Sequence, residues 1–121
     1  MFKYFCIYTL ITLSHLAFSQ KTYFDRFGKS TTQNQAYCFR EKMGNEDYYK
    51  SFYNNTEILY FEGKILQASS TDENQNVYQG VCKWYHKNTK LKSERNFNDQ
   101  GQEEGKSIYY FESGKVWKEL C

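Results

Sequence analysis

The chain reads as an all-β protein, a single-layer antiparallel sheet of stacked β-hairpins with an N-terminal capping hairpin. Three observations predict it. Aromatic residues make up 20% of the 121 residues, with 12 Tyr and 10 Phe, and aromatics on that scale favour pleated sheet. There is no Pro to interrupt a strand. The second half of the chain also matches itself when shifted by 25 residues, the mark of a repeated structural unit.

The first 19 residues are a targeting signal by pattern. Lys3 supplies the positive start, Phe5 to Leu13 the apolar stretch, and Ala17-Phe18-Ser19 a small-x-small cleavage site. The apolar run from Tyr4 to Phe18, interrupted by Ser14 and His15, is shorter than the ~20 residues that span a bilayer. Cys6 lies inside that run, too early to be a lipidated residue. The reading is an exported protein, periplasmic, outer-membrane-associated or secreted, whose mature chain starts at Gln20.

Residues 20–47 supply the cap. Lys21 to Phe24 and Ala36 to Arg40 alternate as short strands around a polar loop from Gly28 to Gln35. Helix is scarce; the one candidate, Glu41 to Ser51, is broken by Gly44. Three repeats follow, at about 48–79, 80–104 and 105–121. The last two coincide best, with Gly80, Trp84, Tyr85, Lys90, Leu91 and Glu94 lying over Gly105, Tyr109, Tyr110, Lys115, Val116 and Glu119. Each is a strand with paired aromatics, a polar turn at Asn88-Thr89 or Ser113-Gly114, and a return strand that begins Lys-aliphatic. A looser copy runs from Phe52 to Ile58 with Phe52-Tyr53 as its aromatic pair, and Ser69 to Asn76 reads as a long connecting loop. Alternation along a strand sends Trp84 to one face and Tyr85 to the other.

The pattern Gly-x-x-x-aromatic-Tyr-x-x-x-Gly-Lys-aliphatic-x-x-Glu resembles the variant membrane occupation and recognition nexus (MORN) repeat of YwqK-like antitoxin family proteins. Gly105, Tyr109, Tyr110, Gly114, Lys115, Val116 and Glu119 match it best, and Thr89 replaces the turn glycine of the preceding copy. The resemblance covers roughly Tyr48 to Cys121. Thr22-Tyr23-Phe24-Asp25 and Ala36-Tyr37-Cys38-Phe39-Arg40 are similar to the lead-in of exported Bacteroidetes-type proteins that carry these repeats. The resemblance implies a hairpin sheet acting as a contact surface for protein or lipid, with no catalytic residues to transfer. It also implies an antitoxin component, which export argues against. The last unit stops at Cys121, just after its return strand, which reads either as a truncated array or as one completed by another chain, and an open terminal strand allows a homodimer by edge pairing.

Charge excludes one class of partner. The formal net charge is +2, or +1 without Lys3, and Lys83, Lys87, Lys90 and Lys92 are offset by Glu94, Glu103 and Glu104, so no nucleic-acid face is predicted. Past the signal, Cys38, Cys82 and Cys121 form an odd set in a compartment that permits disulfides. One bridge is expected, with Cys38 to Cys82 preferred because Cys121 is terminal. His86 is the sole mature histidine and no Cys-x-x-Cys occurs. Neither a metal site nor a nucleophile-base pair is predicted, and no cofactor is expected. The aromatic set Trp84, Tyr85, Tyr109, Tyr110, Phe111 and Trp117 carries the functional expectation. One face of the sheet is core and the other presents these rings to a protein partner, unless loops and the cap cover both faces. An alternative is an envelope-associated structural protein that meets membrane lipid or cell-wall glycan through the same rings.

Overall fold

The computed structural model describes residues 20–121, so the targeting signal expected from the sequence lies outside the described residues. Eight strands form one antiparallel sheet in sequence order. They are β1 (Lys21–Phe24), β2 (Cys38–Lys42), β3 (Tyr48–Tyr53), β4 (Leu59–Gln67), β5 (Val77–Tyr85), β6 (Leu91–Phe97), β7 (Ser107–Tyr110) and β8 (Val116–Leu120). The one helix candidate, Glu41 to Ser51, is the end of β2, a tight turn at Gly44 and most of β3. Pairing of Tyr49, Lys50 and Ser51 with both flanking strands overrides local helix propensity there.

Three hairpins share one construction. In each, a single residue of the return strand bulges out just after an aliphatic residue. Phe52 pairs Leu59 and Ser51 pairs Phe61, leaving Tyr60 extra. Tyr85 pairs Leu91 and Trp84 pairs Ser93, leaving Lys92 extra. Tyr110 pairs Val116 and Tyr109 pairs Lys118, leaving Trp117 extra. These bulges register Ser51-Phe52, one residue earlier than the sequence alignment, against Trp84-Tyr85 and Tyr109-Tyr110. The shift arises because the first hairpin's turn is one residue longer, closing from Tyr53 N–H to the Ile58 carbonyl where the others close from His86 to Lys90 and from Phe111 to Lys115. The fourth residue of the two shorter turns takes a left-handed backbone, at Thr89 (φ 73°) and Gly114 (φ 94°). Glycine accepts this without cost, whereas branched Thr89 is strained.

The two faces differ in kind. On the outer face, Lys21, Glu41, Lys50, Glu62, Lys83, Glu94, Ile108 and Glu119 lie opposite one another strand by strand across the whole sheet. Signs alternate along this row except at Ile108, and cross-strand opposite charges stabilise register by a few tenths of a kcal/mol per pair, up to ~1 kcal/mol. The inner face carries the core of Phe61, Ile65, Cys82 and Phe97, with Tyr78 and Trp84 packed against it.

Over the first part of the inner face lies a strap, residues 68–76. Arg40 Nη2 donates to the Ser69 carbonyl at 3.0 Å. Glu73 N–H donates to the Gly28 carbonyl at 2.7 Å and Ser30 N–H to the Thr71 carbonyl at 2.8 Å. Lys29 pairs with Asp72 at 2.6 Å. The strap and the β1–β2 loop thus hold each other down, and Phe24, Cys38, Arg40 and Ser51 are buried.

The expected disulfide is corrected by this topology. Cys38, Cys82 and Cys121 are free thiols. Cys38 is on β2 and Cys82 on β5, with β3 and β4 between them. At ~4.8 Å per strand their Cα atoms lie ~14 Å apart, about twice a disulfide's reach. Burial pushes the Cys82 thiol up to about 11 and raises that of Cys38 as well, so both stay protonated and unreactive.

Candidate functional site: the bare face of the last hairpin

The aromatic set splits into three groups. Trp84 packs on the core, 4.9 Å from the Phe61 ring and 5.3 Å from Tyr78. Tyr85 turns to the outer face, as alternation requires, and its hydroxyl donates to Glu62, which also accepts from Tyr48 at 3.0 Å. Burial opposes ionisation of Glu62, but these two hydrogen bonds hold its carboxyl below the usual range. Tyr85 is thereby fixed as part of the outer surface.

The remaining four rings belong to the β7–β8 hairpin. Tyr109 and Tyr110 are half-buried, whereas Phe111 is 51% and Trp117 56% exposed. Trp117 meets Tyr109 edge-on at 6.3 Å and Phe111 at 6.1 Å. Lys118 Nζ sits 4.6 Å over Trp117 and 4.8 Å over Tyr109. Between this hairpin and the one before it is a shallow cavity of about 290 Å³, lined by His86, Lys92, Tyr109, Tyr110, Phe111 and Trp117 together with Glu112. Val116 and Leu120 of the same hairpin are exposed apolar residues as well.

Hairpin-to-hairpin contacts place the cavity. Tyr53, first residue of its turn, donates its hydroxyl to the Tyr85 carbonyl of the next hairpin at 2.6 Å. His86, at the same place in the second hairpin, bonds the Tyr110 carbonyl at 3.0 Å; the carbonyl only accepts, so Nε2 carries the proton. Asn88 and Lys90 donate to the carbonyls of Glu112 and Ser113 at 2.7 and 3.2 Å. Each turn therefore braces the next. The third position in this series is Phe111, which has no polar group to donate.

Among the described residues no group of three or more His, Cys, Asp or Glu side chains is placed to hold a metal ion. No helix among them is long and apolar enough to cross a membrane. The sequence offered one unused signal for this site. Trp117 falls on Lys92 when the chain is shifted by 25 residues, and a lysine there marks the position as facing solvent. No family model matches the chain, and neither a curated protein nor a solved structure matches it.

Proposed function

We propose that the protein is an exported, non-catalytic contact module that holds a protein partner on the inner face of its last hairpin, through Phe111 and Trp117. A single observation carries this reading: Phe111 and Trp117 stand half exposed, while Tyr53, the counterpart of Phe111 in the first hairpin, is 3% exposed. Rings exposed beside a cavity, with Lys118 over two of them, fit a surface built to be covered. The MORN-like pattern supports the same class of function, since such hairpin sheets serve as contact surfaces.

The test compares proteins captured from the host's envelope and medium by the mature chain and by a Phe111→Ala/Trp117→Ala double variant. A set retained by the first and lost by the second, with unchanged thermal unfolding, is the expected result. Identical sets from both would remove the reading.

A further inference from the structure

The outer face carries a second row beside its charges. At the N-terminal end of the sheet Tyr23, Phe39 and Phe52 lie opposite one another on β1, β2 and β3. Phe39 stacks on Phe52 with 5.5 Å between ring centroids, and Tyr23 meets Phe39 at 6.1 Å. Tyr23 and Phe39 line a cavity of about 310 Å³, at the small end of the ~300–1,000 Å³ usual for ligand clefts. One wall is the short 3-10 turn Gln33–Gln35 of the β1–β2 loop, and the other is the β3–β4 turn from Asn54 to Glu57. Asn54 ties the two walls together: its N–H donates to the Tyr37 carbonyl at 2.9 Å and its Nδ2 to the Gln33 carbonyl at 3.0 Å. The cleft is therefore preformed, which lowers the ordering cost of filling it.

We propose that this cleft binds a neutral pyranose, one ring of a glycan chain. The β3–β4 turn is where the molecule departs from its own repeat, being one residue longer than its two counterparts, and the residues of that longer turn are the ones that reach the cleft. Asn55 takes a left-handed backbone there (φ 60°), a conformation asparagine tolerates better than most residues. Gln33, Asn55 and Glu57 are exposed and bring two amides and a carboxylate to the rim, and Lys21 brings an ammonium. The opposite charges of Lys21 and Glu57 select against a charged ligand. Amides both donate and accept hydrogen bonds, as sugar hydroxyls do. Phe39 is already engaged, with Phe52 stacked on it and Lys21 Nζ 4.7 Å from its centroid. Tyr23 is left as the platform on which the C–H face of the sugar stacks, its hydroxyl adding a polar tip.

A peptide strand fits this cleft less well. It would seek main-chain groups at a sheet edge, and the nearest edge, that of β1, is closed by the chain itself: Thr31 N–H donates to the Tyr23 carbonyl at 3.0 Å and Ser30 bridges Phe24. The cleft also lies on the opposite face of the sheet, and at its opposite end, from Phe111 and Trp117. It is thus independent of the protein-contact reading above.

The test titrates cellotriose and the N-acetylglucosamine trimer, each to about 20 mM, into the isotope-labelled mature chain, with glycerol as control. Saturable amide shifts at Tyr23, Gln33 and Asn54 to Glu57 with at least one of the two sugars, and none with glycerol, are the expected result. Tyr23→Ala should weaken binding about tenfold. Because that change touches an edge strand, Asn55→Gly, which keeps the left-handed turn, gives the milder check and should weaken binding about three- to fivefold. The Phe111→Ala/Trp117→Ala variant should bind as the wild type does. No saturable shift with either sugar, equal shifts with glycerol, unchanged affinity in both cleft variants, or loss of sugar binding in the last-hairpin variant would each overturn the proposal.

Discussion

The two ends of the inner face make opposite use of the same aromatic hairpin. At the strapped end, Tyr53 meets Tyr37 at 5.5 Å and Tyr60 at 5.1 Å, and polar groups are buried along with the rings. At the far end, among the described residues, the ring partners of Phe111 and Trp117, in the places of Tyr53 and Tyr60, are each other and Tyr109. Cover, and not ring content, separates the buried rings from the exposed ones here. The covered end incurs a desolvation cost for its polarity. Arg40 is 5% exposed between the rings of Phe24 and Tyr49, and burial lowers its pKa while Glu73 works to raise it. Its Nη1 and the hydroxyl of Ser51, its partner across the β2–β3 pair, have no hydrogen-bond partner among the described residues. Burial raises the Glu73 carboxyl to about 7, with Arg40 pulling it down and Asp72 adding to the rise.

The sharpest way to break the contrast is to cut one ring from each end. Phe61→Ala should cost ~3–5 kcal/mol in urea unfolding, as expected for a large core ring, whereas Trp117→Ala should stay within about 0.5 kcal/mol as a surface change. Comparable losses would mean the last hairpin is core. A smaller effect is the pH dependence of the strap. Glu73 binds its proton more tightly folded than unfolded, so its contribution to stability is full below about 4.5. It falls as pH rises and levels off above about 7. The difference between wild type and Glu73→Gln across that window should be at most about 3 kcal/mol, followed by urea midpoints from pH 4 to pH 8; parallel profiles would show that Glu73 is solvated. Smaller again, Thr89→Gly should stabilise by about 1 kcal/mol by relieving a left-handed threonine, whereas the reverse change at Gly114 should destabilise by a similar amount. Thermal midpoints of the two variants moving in the same direction would contradict the equivalence of the turns.

The sheet was legible in the sequence because its signals are local. The 25-residue match, the paired aromatics and the turns at Asn88-Thr89 and Ser113-Gly114 each lie within one hairpin, and Trp84 and Tyr85 part to opposite faces as their alternation requires. The strap was not legible. Ser69 to Asn76 is polar and reads as loop, and only its meeting with Gly28, Lys29 and Arg40, about thirty to forty-five residues away in sequence, makes it a lid on the core. The disulfide expectation failed for the same reason, since Cys38 and Cys82 are a plausible pair in composition and are separated by two strands in space. On the last hairpin, both exposed rings were among the residues singled out, while Lys92 and Lys118, which frame them, were hidden among the ordinary surface charges.

The recurring bulge has a consequence for how such a protein changes over generations. Because one extra residue enters each return strand at the same place, a tandem duplication of residues 80–104 would insert a unit whose two junctions already exist between its neighbours. The new hairpin would find its bracing carbonyl, its opposing charge and its place on the core face without a second mutation. Length is therefore a trait that this architecture can vary in whole steps, moving the last hairpin outward from a fixed, strapped base.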